Sequence, residues 1–394
     1  MTDANSKRPL IYLIAGEESG DRLGGPLMLA LKQACPSDIA FAGVGGPKMT
    51  EQGLTSLFPM QDLSVMGLAE VLPRLPSLIN RLNQVVADIR SLKPDVLITI
   101  DAPDFNFRVA RKLKGKGIPL VHYVAPTVWA WRPGRAKKIA GFLDHLLALL
   151  PFEPPYFERH GLNCTYVGHP VLQSGAGQGG GAAFRSHHGI SSDVPLLALL
   201  PGSRIGESSR LLPVFSQTIE RLRSTIPSLE IVVPTVAATR RQVEAESISW
   251  DVPVHLIDND KDKYAAFDAA DAALAASGTV ALELAMAGTP AVIAYKMAPV
   301  TGFLARQLVK APYVNLINLI LGREAVPEFL LESCRSELIA PAVAGLLNDA
   351  QACDAQKHAY NEALETLGLG KLDPNRRAAE TVLGLIQTTK NGAI

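Results

Sequence analysis

Cysteine is scarce in this chain, four in 394 residues, and Cys35, Cys164, Cys334 and Cys353 stand far apart. That excludes a disulfide framework and any CxxC-type metal or redox motif; scattered reduced thiols of a cytosolic protein are the expectation. Net charge is missing too, because 38 Lys and Arg balance 38 Asp and Glu. No overall basic field draws in nucleic acid, so no nucleic-acid partner is expected. Long apolar runs are absent, and no window approaches the ~18 consecutive apolar residues that span a bilayer. Lys7 and Arg8 before Leu10–Ala15 imitate a signal peptide, but the run is short and Glu17, Glu18 and Asp21 follow at once. A first β-strand is the better reading. What is present is apolar material, 47% of residues against 19% charged, enough for about two or three domains.

Short apolar runs alternate with helical spacing along most of the chain. Leu10–Ile14, Ile39–Gly43, Val96–Ile100, Pro119–Val124 and His145–Leu150 read as buried strands, with helices at Leu23–Gln33, Leu75–Leu92 and Phe105–Lys114 between them. The pattern restarts with strands at Leu196–Leu200, Glu230–Val233, Val254–Ile257, Ala272–Ala276 and Ala291–Ala294, and with helices at Leu211–Thr225 and Thr279–Ala287. Alternation of this kind predicts doubly wound parallel sheets in an α/β chain. Ser174–Ala183, reading SGAGQGGGAA, is expected to be a glycine-rich linker or loop between residues 1–173 and 184–375. Both halves open alike, with a strand running into a glycine turn. Two Rossmann-like domains facing one another across a cleft, the GT-B architecture, would bind ligand at the carboxyl ends of both sheets. A last helix near Arg376–Gln387 is expected to cross back onto the first domain.

The second half carries two phosphate-type turns. In Ala276-Ser-Gly-Thr-Val-Ala-Leu-Glu283, residues Ser277, Gly278 and Thr279 fall at a helix N-terminus, where free N–H groups and the dipole favour a phosphate. Glu283 lies one turn along the same face, placed to accept hydrogen bonds from ribose hydroxyls. A plain helix cap at Ser277 or Thr279 is the competing role. In Leu200-Pro-Gly-Ser-Arg204, Gly202 permits close backbone approach and Arg204 offers a bidentate guanidinium. A surface salt bridge is the competing role for Arg204, but two such turns together favour a diphosphate.

The first half supplies candidates for proton removal. Asp95-Val-Leu-Ile-Thr-Ile-Asp101-Ala-Pro-Asp104 ends a strand with two carboxylates. Asp104 is readable as a helix N-cap, whereas Asp101 has no such duty and projects at the strand's carboxyl edge as a general base. His122 is the rival base, although a lone histidine at a strand end is more often a structural hydrogen-bonder. Gly16-Glu17-Glu18-Ser19-Gly20-Asp21 lacks GxGxxG spacing, which argues against a nicotinamide dehydrogenase. Gly16, Glu17, Ser19 and Gly20 are expected to approach a sugar instead.

These segments together resemble the lipid-A-disaccharide synthase family. The likeness runs through GEESGD, GVGGPKM, SVMGLAEVL, KPDVLITIDAPDFN, HYVAPTVWAWR, LPFE, VGHP, LPGSR, LEIVVP, ASGTVALE and YVNLINLILGRE, in the family's order over nearly the whole chain. It implies an inverting transfer with no metal and no cofactor. UDP-2,3-diacylglucosamine would donate to 2,3-diacylglucosamine 1-phosphate, giving a β-1,6-linked disaccharide and UDP. Carried over, Asp101 is the base, and Arg204, Ser277, Gly278, Thr279, Glu283 and Asn318 hold UDP, with Glu328 nearby. Asn315 departs from the family, standing where a smaller hydroxyl residue is usual. The resemblance further implies a peripheral protein on the cytoplasmic face of an inner membrane, and it leaves room for a homodimer. Val65, Met66, Leu68, Val71, Leu72 and Leu75, with Arg74 and Arg81 interspersed, are the expected membrane contact. An amphipathic helix packed on the sheet is the other reading of that segment. The remaining rivals are another GT-B enzyme, such as a UDP-N-acetylglucosamine epimerase or a lipid-intermediate glycosyltransferase, and a non-catalytic nucleotide-sugar-binding protein.

Overall fold

The computed structural model describes residues 8–63, 68–129, 134–298, 311–390 and 392, with the side chains of 68–74, 260, 261 and 390 left out of the description. The chain divides into two compact units. One runs to Pro170 and takes in the C-terminal stretch from Lys371; the other spans Val171–Gly370.

The first unit holds six parallel strands: β1 (Leu10–Ala15), β2 (Ala40–Val44), β3 (Val96–Ile100), β4 (Leu120–Tyr123), β5 (His145–Ala148) and β6 (Asn163–Tyr166). Their order is β2-β1-β3-β4-β5-β6. The central strands are apolar on both faces because helices cover both, the usual condition of a parallel sheet. Each fully buried Leu or Ile contributes roughly 1.5–3 kcal/mol relative to exposure. Register is pinned at the strand starts, where Asp95 accepts the N–H of Leu10 and Asp144 that of Leu120. The helix Pro374–Lys390 packs on the helix Glu18–Ala34 and contributes Ala378, Ala379, Val382 and Ile386 to this unit's core.

The second unit repeats the plan with β7 (Leu196–Leu200), β8 (Glu230–Pro234), β9 (Val254–Ile257), β10 (Ala272–Ala276), β11 (Ala291–Tyr295) and β12 (Glu328–Leu330). All pairings are parallel, in the order β12-β11-β10-β7-β8-β9. Asp271 takes the N–H of Leu196, the same pin as in the first unit. The glycine-rich stretch after Pro170 ends in structure. Gly181 opens the helix Gly181–His188, and its N–H donates to Asp268 Oδ2 at 2.7 Å.

In each sheet the chain winds outward, returns, and sets its next strand on the other side of the first. The reversal falls between β1 and β3 in one unit and between β7 and β10 in the other. Adjacent strands whose connections leave in opposite directions open a crevice at their carboxyl ends, where doubly wound proteins bind ligands. The fold therefore nominates two places for chemistry before any side chain is considered.

Candidate active site

At the first reversal, β1 runs into Gly16–Ser19 and β3 into Asp101–Pro103. The glycine reading of GEESGD as a turn needs correction. The helix begins at Glu18, so Ser19 and Gly20 sit in its first turn, and only Gly16 and Glu17 connect it to β1. Asp101 and Ala102 both lie in the left-handed region, φ +50° and +42°. Each costs roughly 1–2 kcal/mol for a residue with a Cβ. Gly16 must be small here, because a Cβ on it would meet the Ala102 Cβ at 2.7 Å. The outcome is a half-buried Asp101 carboxylate whose Oδ2 accepts a 2.7 Å hydrogen bond from the exposed Ser19 hydroxyl. Two sites named from separate motifs are thus one site.

Asp104 does not cap its helix. Ala102 occupies the N-cap and Pro103 follows it, while the Asp104 side chain is fully exposed, 4.0 Å from Arg135. His122 is withdrawn from chemistry. It is fully buried, with Nδ1 2.8 Å from Thr99 Oγ1. Thr99 Oγ1 also lies 3.2 Å from Val121 O, and Nε2 of His122 is buried with no hydrogen-bond partner among the described residues. Burial, with Arg135 adding to it, lowers its pKa to about 3. A group that dry and that weakly basic takes no proton from a substrate.

Asp21 has a structural task that the motif reading left unassigned. Its carboxylate accepts the N–H groups of Gly46, Lys48 and Met49, so it caps the helix Pro47–Glu51 from a distance. This ties GEESGD to GVGGPKM. Glu153, the acid of LPFE, is nearly as buried. It accepts the N–H groups of Leu149 and Leu150 and, at 3.4 Å, the indole N–H of Trp129. Burial outweighs those bonds and raises its pKa to about 7.

At the second reversal, the turns after β7 and β10 are neighbours, because Leu200 pairs with Ala275. Gly202 has φ +101°, and a Cβ on it would run into the Glu207 carboxylate. Arg204 is exposed and stands at the N-cap of the helix Ile205–Thr225 with no cap bond from its side chain. Across from it, Thr279 makes no cap bond either, and Gly278 faces open space. A plain cap is therefore not what these residues provide; the helix Val280–Ala287 presents its N-terminus uncapped by side chains. Ser277 reaches only a weak 3.5 Å contact with Val314 O.

Glu283 is half-buried and already held. Lys263 Nζ lies 2.9 Å from both carboxylate oxygens, and Tyr264 Oη donates to Oε1 at 3.2 Å. Nothing in the local spacing announced Lys263, which is 20 residues away in sequence. Asn318 and Glu328 form a support. Asn318 is fully buried; Nδ2 donates to Val326 O and Glu328, and Oδ1 accepts from Ala325 and Val326 N–H. All four of its hydrogen-bonding positions are spent within the chain. Glu328 also accepts the N–H groups of Val314 and Asn315, so the pair fixes the segment beside Ser277. Asn315 caps the helix Leu316–Leu321 through Ile317 N–H, a task a hydroxyl residue would serve equally.

A cavity of about 770 Å³ opens at the opposite, amino edge of the second sheet, between Arg185, Asp268, Asp271, Asp349 and Lys357. Its carboxylates serve the fold: Asp271 pairs with Arg185, Asp268 holds Gly181, and Asp349 caps the helix Ala350–Thr366. Volume alone does not mark the site here. Among the described residues no group of three His, Cys, Asp or Glu is placed to hold a metal ion, and no helix is long and apolar enough to cross a membrane. Of the expected membrane contacts, Val65 and Met66 lie outside the described residues, as do the side chains of Leu68, Val71 and Leu72; Leu75 is half-buried.

A family model described as lipid-A-disaccharide synthetase matches residues 11–382. The chain belongs to the lipid-A-disaccharide synthase family. A lipid-A-disaccharide synthase of Rhodospirillum centenum is 56% identical over 379 residues, covering 96% of this chain and 94% of that one. The chain is accordingly a glycosyltransferase. Its GT-B fold recurs in solved structures of distant sequence. The crystal structure of Acinetobacter baumannii MurG aligns with a TM-score of 0.57 at 15% identity, covering 97% of this chain and all of that one. UDP-GlcNAc 2-epimerase from Neisseria meningitidis, bound to UDP-GlcNAc, aligns at 0.62 and 11%, again over 97% of this chain and all of that one. Likeness to an epimerase at that identity is a likeness of fold; the family match over nearly the whole chain decides the reaction class.

Proposed function

We propose that the chain transfers 2,3-diacylglucosamine from UDP-2,3-diacylglucosamine to the 6-hydroxyl of 2,3-diacylglucosamine 1-phosphate, with inversion. The reading rests on one observation above all: Asp101 and Ser19 meet at the reversal point of the first sheet, and the turns carrying Arg204 and Ser277–Thr279 are neighbours at that of the second. In the first unit Asp101 takes the proton of the acceptor hydroxyl as its oxygen attacks the anomeric carbon. Ser19 orients the carboxylate. In the second unit the bond from that carbon to the diphosphate oxygen breaks, and UDP leaves with the electron pair. Arg204 and the N–H groups at Gly278–Val280 meet the negative charge that develops there. Glu283, held in place by Lys263 and Tyr264, accepts the ribose hydroxyls, while Asn318 and Glu328 stiffen the wall behind Ser277. Both substrates carry acyl chains, so the enzyme works at the cytoplasmic face of an inner membrane, with residues 65–75 and the exposed Ile79 as the contact.

The test is to incubate purified protein with both acylated substrates and to identify the product by mass spectrometry. A β-1,6 disaccharide 1-phosphate supports the proposal. Equal turnover of UDP-N-acetylglucosamine without acyl chains, or its epimerisation, would defeat it. For the membrane contact, Met66, Leu68 and Leu72 changed together to Ser should reduce liposome co-sedimentation and leave UDP binding intact. Unaltered co-sedimentation would place the contact elsewhere.

A further inference from the structure

Asn106 belongs to the first turns of the helix Pro103–Leu113 and is fully buried, so it meets no substrate. Its side chain reaches backwards. Nδ2 donates to Ile100 O at 3.1 Å and to Asp101 O at 2.7 Å. Both hydrogens of the amide are thereby spent on consecutive carbonyls at the point where β3 turns left-handed. That turn needs a restraint, since two successive residues with side chains hold positive φ and Ala102 contributes no side-chain cap. The restraint also has a cost. Among the described residues the buried Asn106 Oδ1 has no hydrogen-bond partner. A leucine would fill much the same space with no orphaned carbonyl, so packing alone does not account for an amide here.

We infer that Asn106 is a positioning residue for the base: it clamps the backbone of Ile100 and Asp101 so that the Asp101 carboxylate stays beside Ser19 at the carboxyl edge. The inference rests on the reading of Asp101 as base. Released from the clamp, the turn relaxes towards ordinary φ and carries the carboxylate away from the acceptor hydroxyl. Misplacement of about 1 Å costs on the order of 10²-fold in rate.

Asn106→Leu keeps most of the volume and removes both donors. Its kcat should fall about 10²-fold, with KM for both substrates and the UDP affinity by calorimetry close to the parent's. Ala102→Gly in the same chain should restore part of that loss, because glycine takes positive φ without strain. A normal kcat in Asn106→Leu, a loss confined to KM, or a loss that glycine at 102 leaves untouched overturns the inference. Should Asn106→Leu not fold, Asn106→Ser carries the same comparison, since its hydroxyl falls short of both carbonyls; a normal kcat there is equally fatal. Asp101→Ala measured alongside separates the two layers. If it turns over normally, the base is misassigned and the clamp falls with it. If it is inactive while the Asn106 variants are normal, only the clamp fails.

Discussion

At the scale of single residues the decisive contrast is between Asp101 and His122. Both stand near strand ends in the first sheet, and both were legible as bases in the sequence. Burial separates them: one is half-exposed and hydrogen-bonded to a surface serine, the other dry and held neutral. Asp101→Ala should therefore reduce transfer by ~10²–10⁴-fold while UDP affinity by calorimetry stays near the parent's. Near-normal turnover would remove Asp101 from the mechanism. On the donor side, Arg204→Ala and Glu283→Ala should each weaken UDP binding and raise the donor KM, the first through the diphosphate and the second through ribose. Unchanged UDP binding in both variants would put the nucleotide elsewhere. Charge type made these positions readable, but partners did not. Lys263, Ser19 as a partner of Asp101, and the saturated bonding of Asn318 emerge only when distant segments meet.

At the scale of elements, the interior strands were readable because each is a continuous apolar run between turn residues. β6 and β12 were not. Both are edge strands, short and half-exposed, so neither carries an apolar run. The helix Leu68–Leu92 starts about two turns before the periodicity suggested, since it continues through Pro73 and Pro76, residues that usually end a helix. The same error befell the first helix, whose Gly20 disguised its opening turn as a loop. Turn geometry gives a prediction at this scale. Gly202→Ala must place a Cβ against Glu207 at φ +101°, which distorts the strand-to-helix turn that presents Arg204. The donor KM should rise severalfold, and the far-UV circular dichroism should hardly change. A variant with the parent's donor KM would show that the turn makes no close approach to the diphosphate.

At the scale of the whole molecule, buried titratable groups make stability respond to pH, His122, His169 and Glu153 among them. His122 and His169 are driven by burial to about 3 and about 4, so the folded chain refuses protons that the unfolded chain accepts. Their contribution is present above the ordinary histidine value and is lost as pH falls towards 4. Glu153, raised to about 7, acts in reverse: the folded chain keeps a proton that the unfolded chain releases, and stability falls as pH rises from about 4.5 to 7. The histidines lose stability on acidification below pH ~6.5, and Glu153 opposes that loss. Glu153→Gln should steepen that loss, and His169→Gln should flatten it. Thermal melts between pH 5 and 7 check both signs, and parallel profiles for all three proteins would refute the assignment. None of this was visible beforehand, because LPFE and VGHP name the residues without saying which are dry.

The account stands most directly on whether donor cleavage is coupled to the acceptor. Purified protein given UDP-2,3-diacylglucosamine alone should release almost no UDP, and adding 2,3-diacylglucosamine 1-phosphate should start release in step with disaccharide formation. UDP release at the same rate without the acceptor, or UDP binding with no release under either condition, would contradict it.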